Sequence, residues 1–513
     1  MKLSLDSVLN GKWNDDYTLP KYNLPLMIEE TKYSPRWLHI GAGNIFRGFI
    51  AALQDDLIND NPNETGIIVY ETFDKEIIST TFEPHDNLAL GVTLFADGST
   101  KKRVIGSVAK AFSNDFKEVC KIIAMPWLQL ISLTITENGY YVNPETVCEY
   151  FTDSTTTMEQ ITAGLYYRSQ IRSPRKSPPI ALVSMDNFAE NGTKLFKAIL
   201  TIAEVWEKSG CVTSDFIDYI KSLSFPWTMI DKITPRPSED VAELLKKDGF
   251  KDTQITKTSK NTFIAPFVNA ESSQYLIIED DFPNGRPPFE KAGVYMTDKE
   301  TVRNMDSMKV CACLNPLHTI LAVTGMLLSI PTISECMKDQ RIVKLLRLAA
   351  DEALPTVKHP GIINPEDFLE EVLKERFPNP FIPDTPSRIA CDTSQKIPIR
   401  FGVMLNERNK KGLPEDSLKA FPLFAALWLR YRTGINDKGE PFDISPDPLL
   451  PQAYNKLKNL PFGEKPDLKD ILSDSKTFGI NLYDSNLASK VEDMFIKLSA
   501  SKGAVDRIIS EVL

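Results

Sequence analysis

Cysteine and histidine are scarce in this chain of 513 residues, which has seven cysteines and only four histidines. The cysteines form no CxxC pair, and no histidine lies in an HExxH motif or pairs with another at helical ligand spacing. This pattern argues against a disulfide framework and a structural zinc site, and it predicts a reducing, cytoplasmic location. It also argues against a histidine-rich catalytic metal site, so we expect no metal.

Long apolar runs and basic tracts are missing as well. The longest apolar run, near 320–330, is interrupted by Thr324, Gly325 and Ser329 and is too short to span a bilayer. The N-terminal stretch MKLSLDSVLNGKWNDD has no continuous apolar core, so no signal peptide is expected. The formal net charge is −10 and no tract is rich in lysine or arginine. We therefore expect no nucleic acid or membrane as a partner, although a local basic pocket for a small anion is still allowed.

The arrangement of apolar residues predicts two domains. A chain of this length is too long for one hydrophobic core. Residues 1–285 alternate strand and helix patterns, which predicts an α/β domain, and we expect residues 1–35 to wrap its surface. After the turn-rich segment NGRPPFEKAG, residues 286–513 carry mainly helical patterns, with a surface loop expected at 433–470. The helical patterns in this part are Leu314–Leu328, Ile342–Ala353, Pro365–Arg376, Ser387–Asn406, Leu418–Arg432 and Lys490–Leu513.

A glycine turn follows the first clear strand pattern, RWLHIG. Gly41 and Gly43 supply a tight turn before a helical pattern that starts at Phe46. Such a turn brings backbone N–H groups at a helix N-terminus to a pyrophosphate, and Arg47 would add a cation. We therefore predict a dinucleotide site that includes these residues and Asn44. Because Phe46 takes the place of the third glycine of GxGxxG, a purely structural turn is an equal alternative.

Acidic residues follow the next strand pattern, Gly66–Tyr70. Glu71 comes directly after it, and Asp74 lies just beyond. An acid at this distance from the glycines fits a hydrogen bond to a ribose 2′-hydroxyl, which favours NAD over NADP. The alternative is a solvated acid in a loop.

Polar clusters occupy the places where later strands should end. They are TITENGY (134–140), SMDNFAENG (184–192) and FPWTMIDKITPRP (225–237). Ligands of open α/β sheets bind at the carboxyl ends of the strands, so these clusters are candidate ligand contacts. Asp186 and Asn187 have an alternative role, because both residue types often cap the helix that follows them.

The stretch MDSMKVCACLNPLHT, residues 305–319, places Lys309, Asn315 and His318 in a largely apolar run. At about 100° per residue, one unbroken helix would put Asn315 and His318 on one face and Lys309 on another. Burial of an amine lowers its pKa, which makes a lysine in such a run a candidate general base. Periodicity alone favours a simpler alternative, a lysine at a helix end and a histidine of the core.

Several of these segments together resemble the polyol-specific long-chain dehydrogenases, the family of mannitol 2-dehydrogenase and fructuronate reductase. The matching segments occur in family order over residues 37–400 and are HIGAGNIFR, TITENGY, SMDNFAENG, FPWTMIDKITP, IIEDDFPNGRPPFEKAGV, MKVCACLNPLHT and RIACDTSQKI. Together they are far more specific than one glycine motif. The resemblance implies an α/β, Rossmann-type N-terminal domain, a mainly α-helical C-terminal domain and chemistry without zinc.

The resemblance also implies roles for single residues. Lys309 corresponds to the general base of the family, and Asn187 and Asn315 correspond to two amides that stabilise the developing alkoxide. His318 corresponds to the histidine that binds the substrate hydroxyl. Asp231 corresponds to an aspartate of the active site.

Further correspondences concern the distal part of the substrate and the proton path. Arg388 and Lys396 match a basic pair that contacts the far end of the open-chain substrate. Asp306 stands where the family commonly has glutamate, so a relay of protons to solvent would need a bridging water. Six steps separate Lys309 from Asn315 where the family usually has five. Two explanations are open: Lys309 lies on a segment before a helix that begins at Pro316, or the helix contains a local bulge.

The resemblance predicts an NAD-dependent oxidoreductase that interconverts fructuronate and mannonate, a ketohexuronate and its aldonate, with NADP as the alternative cofactor. A mannitol 2-dehydrogenase, or another neutral polyol dehydrogenase, is the alternative. A more distant alternative is an inactive nucleotide-binding sensor, against which the retained candidate catalytic residues argue. The discriminating feature is a cation for the substrate carboxylate, for which Arg388, Lys396, Arg400 and Arg236 are candidates. Neutral-sugar members of the family keep the first two, so residue types favour the uronate only slightly. The preference for it rests on the resemblance of the LNPLHT segment to uronate reductase-like members. We expect a monomer or a homodimer.

Overall fold

The fold is that of a computed structural model, which describes residues 1–171, 178–382 and 384–512. It contains two compact units, Met1–Phe95 with Ser99–Arg303 and Ala96–Gly98 with Asn304–Leu513. This division falls later than the predicted one after residue 285. The reason is that the strand Tyr295–Thr297 pairs with the strand Tyr275–Glu279, so residues 286–303 belong to the first unit.

The first unit is built on a five-stranded parallel sheet. Its strands in chain order are β1 (Trp37–Ile40), β2 (Ile67–Glu71), β3 (Val108–Ser113), β4 (Leu130–Leu133) and β5 (Ala181–Ser184). They lie in the order β3–β2–β1–β4–β5, and every neighbouring pair is parallel. The strand order therefore reverses between β1 and β4, as in a Rossmann-type domain.

Both faces of this sheet are buried, because its strands are almost wholly apolar. Leu38 and Ile131 pack into a core cluster on one face, and their chain neighbours Trp37 and Leu130 pack into a second cluster on the other. Successive side chains of a strand point to opposite faces, which produces this alternation. With both faces covered, a ligand can reach this sheet only at the strand ends and the loops that follow them.

Smaller sheets complete the first unit. One contains β6 (Thr228–Asp231), β7 (Tyr275–Glu279) and β8 (Tyr295–Thr297) in the order β8–β7–β6. A second has four strands in the order Tyr17–Thr18, Thr100–Ile105, Ala89–Leu94 and Phe267–Glu271, and the third pairs Thr256–Lys257 with Phe263–Ile264. The α-helices are Leu5–Asn10, Leu24–Tyr33, Ala51–Asp60, Phe116–Ala124, Thr157–Ser169, Asn191–Lys208, Ser214–Ser222 and Glu239–Lys247. Residues 1–35 thus contribute two helices and a strand, rather than only a surface wrap.

The second unit is mainly α-helical, as predicted. Its helices are Asn315–Leu328, Ile333–Cys336, Gln340–Ala353, Pro365–Glu371, Pro386–Ile389, Thr393–Ile397, Val403–Lys410, Ala420–Tyr431, Lys469–Leu472, Ser475–Phe478, Leu487–Leu498 and Ala504–Val512. π-Helical turns occur at Lys309–Cys313, Val372–Arg376 and Pro398–Gly402. The single helix predicted over Ser387–Asn406 is wrong. Asp392 adopts the left-handed conformation with φ 52°, which separates two short helices.

The helix Lys299–Met308 joins the π turn and the helix Asn315–Leu328 in one helical run of 30 residues. By length and composition alone, Lys299–Leu328 could cross a bilayer, but most of its apolar part is buried inside the protein. A core helix meets the same criteria, so the run is weak evidence for a membrane. It is longer than the predicted helix Leu314–Leu328, because the π turn joins that helix to the helix Lys299–Met308, which the sequence analysis did not predict.

Candidate active site

The glycine turn leaves β1 at the point where the strand order reverses. Gly41 has φ 105°, and a Cβ there would lie 2.4 Å from the carbonyl oxygen of Thr134. Only glycine fits this conformation and this close approach to the segment after β4. A Cβ at Gly43 would meet nothing within 4 Å, so the backbone of this residue faces open space. The turn therefore has the shape that lets a phosphate approach the backbone at a helix N-terminus.

The predicted neighbours of the turn are more buried than expected. Phe46 is buried and stacks on His39 with 4.2 Å between the ring centroids. Arg47 is 1% exposed and donates to the carbonyl oxygens of Ala265 (2.7 Å) and Pro266 (3.1 Å). Burial lowers the pKa of Arg47 to about 9. Its guanidinium therefore fixes a neighbouring segment, and its contact with a pyrophosphate stays a prediction.

Asn44 presents an unsatisfied oxygen beside the same turn. Its Nδ2 donates to the carbonyl oxygen of Phe263 at 3.3 Å. Its Oδ1 is buried without a hydrogen-bond partner among the described residues. A buried acceptor without a donor is costly in a folded protein, and a bound hydroxyl or amide would relieve that cost. Asn44 therefore fits the predicted dinucleotide site.

Glu71 holds the glycine turn from the end of β2. Its Oε2 accepts from the backbone N–H of Ala42 at 2.6 Å, and its Oε1 accepts from those of Phe73 (2.8 Å) and Asp74 (3.0 Å). Burial raises the pKa of this carboxyl group, and the hydrogen bonds from the backbone oppose that effect. Glu71 is 5% exposed, so the alternative of a solvated loop acid is wrong. Its predicted contact with a ribose hydroxyl stays a prediction.

Asp74 is buried next to this carboxylate. Its Oδ2 accepts from the Thr258 hydroxyl at 2.7 Å, whereas its Oδ1 is buried without a partner in the part of the chain that the structure describes. It is therefore a second candidate for the ribose hydroxyl.

The polar clusters TITENGY and SMDNFAENG meet at the ends of β4 and β5. Asp186 accepts from the backbone N–H groups of Ile135 (2.9 Å) and Thr136 (3.1 Å) and from the hydroxyl of Tyr140 (2.7 Å). It therefore joins the two strand ends, and the alternative of a helix cap does not describe it. Asn187 is exposed. Its role with the alkoxide stays a prediction.

Sequence reasoning missed Asn191, which organises the second of these clusters. Its Nδ2 donates to the Thr228 hydroxyl at 2.8 Å and to the Asp186 carbonyl oxygen at 3.1 Å. Its Oδ1 accepts from the backbone N–H of Thr228 at 3.0 Å. These contacts join the segment after β5 to the start of β6. The Asn-Gly pair in SMDNFAENG is the only signal that could have pointed to it.

At the other end of β6, Asp231 is 7% exposed and lies opposite Tyr275 of β7.

In the second unit, Lys309 is the first residue of a π turn. It is 1% exposed, and its Nζ lies 3.9 Å from Oδ1 of Asp306. The backbone N–H of Leu314 donates to the carbonyl oxygen of Lys309 at 3.2 Å, which is the i→i+5 bond of a π turn. The explanation by a bulge therefore holds, and α-helical geometry resumes at Asn315 with Pro316 in its first turn, so Lys309 lies within the same helical run and not on a separate segment. An i→i+5 turn takes up one residue more than an α turn, so six steps here correspond to five in an α-helix.

His318 lies in a strongly basic environment. Burial, together with the positive charges of Arg400, Arg388, Arg376 and Lys396, lowers the pKa of His318 to about 3. The imidazole is therefore neutral at physiological pH. Its Nε2 is buried without a hydrogen-bond partner among the described residues. A neutral ring with an unused nitrogen can donate to or accept from a hydroxyl, as the predicted role requires.

Asp384 connects His318 to the predicted basic pair. It forms an ion pair with Arg388, and its Oδ2 lies 3.8 Å from Nε2 of His318. Lys396 donates from Nζ to the carbonyl oxygen of Ile389 at 2.9 Å. Burial, and then the charge of Arg400, lower the pKa of Lys396. The structure thus brings Arg388, Lys396 and His318 into one electrostatic environment. Asp384 itself was not predicted.

Two further arginines belong to this environment. Arg400 donates to the carbonyl oxygen of Asn315 at 3.0 Å and to the Thr319 hydroxyl, and burial lowers its pKa to about 10. Arg376 is 4% exposed and lies at the end of another π turn. The sequence analysis named Arg400 as a candidate cation for the substrate carboxylate and did not name Arg376. We call the group Arg376, Arg388, Lys396 and Arg400 the basic cluster.

Candidate metal ligands do not converge in the part of the chain that the structure covers. Over residues 1–171, 178–382 and 384–512, no group of three or more His, Cys, Asp and Glu side chains could hold a metal ion. All seven cysteines are free. The expectation of chemistry without a metal stays a prediction.

Comparisons with known proteins identify the family. Residues 35–291 match the model of the mannitol dehydrogenase Rossmann domain, and residues 301–498 match that of the mannitol dehydrogenase C-terminal domain. A D-mannonate oxidoreductase of Thermotoga maritima is 44% identical over 96% of this chain and 95% of its own. A mannitol 2-dehydrogenase of Pyrenophora tritici-repentis is 29% identical over 85% of this chain and 76% of its own.

Solved structures share the fold. A D-sorbitol dehydrogenase in substrate-free form has a TM-score of 0.82 at 22% identity, covering 98% of this chain and 100% of that one. A Pseudomonas fluorescens mannitol 2-dehydrogenase, in a ternary complex with NAD and D-mannitol, has a TM-score of 0.72 at 24% identity, with both chains covered fully. Both family models match, in the order of the two units seen here. The chain belongs to the mannitol dehydrogenase family of oxidoreductases.

Proposed function

We propose that this chain is an NAD-dependent oxidoreductase that interconverts fructuronate and mannonate, a ketohexuronate and its aldonate, without a metal. The observation that carries the choice of an acid substrate is the basic cluster, whose four cations all lower the pKa of His318 and in which Arg388 is paired to Asp384. A carboxylate is recognised well by guanidinium and ammonium groups, and Arg376 and Arg400 add two cations to the pair Arg388 and Lys396 that neutral-polyol members of the family also keep. The similarity to the D-mannonate oxidoreductase of Thermotoga maritima supports the same substrate.

The first unit fits a dinucleotide at the glycine turn. The backbone of Gly43 faces open space, and the buried Oδ1 of Asn44 lacks a donor among the described residues. Glu71 and Asp74 are the candidates for the adenosine ribose. When bound, NAD supplies the acceptor for the hydride of the carbinol, and the protein supplies binding and orientation. Loss of the ribose contact would permit NADP as the alternative cofactor.

The residues of the chain handle the proton and the oxygen of the substrate. The Nζ of Lys309 accepts the hydroxyl proton as the carbinol carbon gives up its hydride. Asn315 and Asn187 donate to the developing alkoxide, and neutral His318 binds the hydroxyl. Asp306, which is 3.9 Å from Lys309, passes the proton towards solvent through a bridging water. In the reductive direction, the same groups return the proton to the carbonyl oxygen.

Absorbance at the NADH band tests the substrate. We expect the protein to consume NADH with fructuronate and to reduce NAD with mannonate, and to act much more weakly on mannitol. Faster turnover of mannitol would support the alternative, a neutral polyol dehydrogenase. Binding of NADH without turnover of any of the three substrates would support the inactive sensor.

The setting of the protein is also part of this proposal. We infer a monomer or homodimer in a reducing cytoplasm, with a sugar acid or polyol as its small-molecule partner and with no nucleic acid or membrane partner. Seven free cysteines support a reducing location. Light scattering in solution measures the oligomeric state.

A further inference from the structure

The short helix that carries Lys396 is capped by a residue from a distant loop. The helix Thr393–Ile397 begins after Asp392, whose own side chain makes no capping hydrogen bond. Asp447 takes that place, because its Oδ2 accepts from the backbone N–H of Ser394 at 2.9 Å and its Oδ1 accepts from the Ser394 hydroxyl at 2.6 Å. A carboxylate at this position satisfies an unpaired N–H group and stabilises the positive end of the helix.

The same loop holds the segment around Arg388. The Ser445 hydroxyl donates to the carbonyl oxygen of Ser387 at 2.7 Å, and the backbone N–H of Asp392 donates to that of Pro446 at 2.9 Å. We call residues 441–447 the bracing loop.

The bracing loop is itself fixed to a buried helix. The backbone N–H of Ser445 donates to the hydroxyl of Tyr431 at 2.7 Å. Tyr431 is 1% exposed and ends the helix Ala420–Tyr431, which is buried along its whole length. The sequence predicted only a surface loop over residues 433–470. In the structure, the bracing loop connects the buried helix Ala420–Tyr431 to the two short helices that carry Arg388 and Lys396.

We propose that Asp447 is a positioning residue that sets the backbone path between Arg388 and Lys396 and thereby the geometry with which this basic pair meets the distal end of the substrate. The helices Pro386–Ile389 and Thr393–Ile397 are four and five residues long. Helices this short are not stable by themselves, so their geometry depends on outside contacts. The inference rests on the proposed function for the identity of the acid, whereas the bracing contacts are independent of it.

Asp447→Ala and Asp447→Asn test the proposal in the full-length protein. Because charge-assisted hydrogen bonds to the Lys396 helix are lost, we expect KM for fructuronate to rise about tenfold in Asp447→Ala and less in Asp447→Asn. The values of kcat and of KM for NADH should stay close to those of the wild type. Asp443→Ala is the matched control, since Asp443 is exposed in the same loop, and it should change neither constant.

A double-mutant cycle separates positioning from general stability. Ser394→Ala removes the hydroxyl that Asp447 accepts from, so its effect on KM should not add to that of Asp447→Ala. If Asp447→Ala does not fold, Ser445→Ala removes the other anchor and should raise KM about threefold. An unchanged KM in folded Asp447→Ala, or an equal rise in KM for NADH, would overturn the proposal.

The wild-type enzyme separates this proposal from the proposed function. If it turns over mannitol but not fructuronate, the proposed acid substrate is wrong, and the same variants are compared on mannitol. If it turns over neither, the binding of mannonate is compared by calorimetry in wild type and Asp447→Ala. Tight binding that is identical in both proteins then overturns the positioning role, and weaker binding in the variant supports it.

Discussion

A lysine amine in the interior of a protein is rare, and Lys309 is 1% exposed. We expect Lys309→Ala to lower kcat by about 10²–10⁴-fold, the usual contribution of a general base. Binding of NADH should be nearly unchanged, because the base is not part of the dinucleotide site. Stopped-flow absorbance measures hydride transfer, and quenching of protein fluorescence measures NADH binding. Lys338→Ala, at an exposed position of the same unit, is the control. A variant that loses NADH affinity would contradict this role.

Glu71 has a structural role that its replacement would reveal. Glu71→Ser leaves the backbone N–H groups of Ala42, Phe73 and Asp74 without their acceptor. We expect the free energy of unfolding to fall by about 1–3 kcal/mol, the cost of leaving buried donors unsatisfied. If Glu71 also meets the ribose, the ratio of NADPH to NADH activity should rise. Urea unfolding and cofactor kinetics measure the two effects, and an unchanged ratio would move the ribose contact to Asp74.

The sequence points to candidate site residues where a motif carries them and not where only the fold brings residues together. Lys309, His318 and Arg388 lie in segments that match the family. Asp384 and Arg376 lie in no such segment. They lie near His318 only because the fold brings their helices and loops to it. Asn191 was missed because its role depends on Thr228, which is 37 residues away in the chain. Contacts over such separations leave no local pattern.

At the scale of elements, the break after the π turn has a local cause. Pro316 has no backbone N–H, so it cannot continue the hydrogen bonding of the preceding turns, and the new helix begins at Asn315. Pro316→Ala restores that donor and lets the helix shift towards regular α geometry. We expect kcat to fall about tenfold with NADH binding unchanged, because a small misplacement of a catalytic group is costly. Steady-state kinetics check this, and a kcat equal to that of the wild type would contradict the link between the π turn and catalysis.

Whether a segment forms a helix or a strand was largely predictable from the sequence. The residues at which helices and strands are interrupted were less predictable. The sequence pattern predicts a helix over Thr157–Ser169, and the structure has a helix over the same residues, which begins with a capping box. The apolar pattern of the sequence predicts one strand over Val104–Val108, which is wrong, since these residues belong to the end of Thr100–Ile105 and the start of Val108–Ser113. Gly106 lies between these two strands, where a Cβ would meet Leu24 at 2.5 Å. That close packing involves a distant helix, so periodicity could not reveal it.

At the scale of the whole molecule, buried histidines in both units couple stability to pH. Burial lowers the pKa of His39 to about 3, and burial with nearby cations does the same for His318. An unfolded imidazole titrates near a pKa of about 6.5, so between these values the unfolded chain binds more protons. The histidine contribution is therefore lost as pH falls below about 6.5. Buried carboxyl groups with a raised pKa, such as Glu71, act in the opposite direction.

His39→Gln isolates the histidine contribution. We expect the urea concentration at the unfolding midpoint to decrease more between pH 7 and pH 4 in the wild type than in His39→Gln. The comparison concerns this decrease and not the difference between the two proteins at pH 7. Gln keeps a polar side chain near the hydroxyls of Ser132 and Thr134, which contact the imidazole at 2.6 and 2.9 Å. Equal slopes in the two proteins would show that His39 does not contribute.

The two-domain organisation was predictable because composition and periodicity change along the chain. The boundary was not, since it depends on the pairing of β8 with β7, and a three-residue strand gives no reliable signal. The Rossmann-type order of the sheet follows from the alternation of strands and helices together with the glycine turn. The two smaller sheets that contain Tyr17–Thr18 and Tyr275–Glu279 had no comparable signal.

The π turn at Lys309–Cys313 also bears on how this chain should be compared with its relatives. The π turn takes up the one additional residue between Lys309 and Asn315. In a pairwise alignment with a relative that has five steps between the corresponding lysine and asparagine, the gap therefore belongs inside residues 310–314. An alignment that places the gap before Lys309 would pair the amine of one protein with an apolar neighbour in the other. Homology searches that score each column separately would then miss the lysine predicted to be the base, and superposing backbones through this turn restores the correspondence.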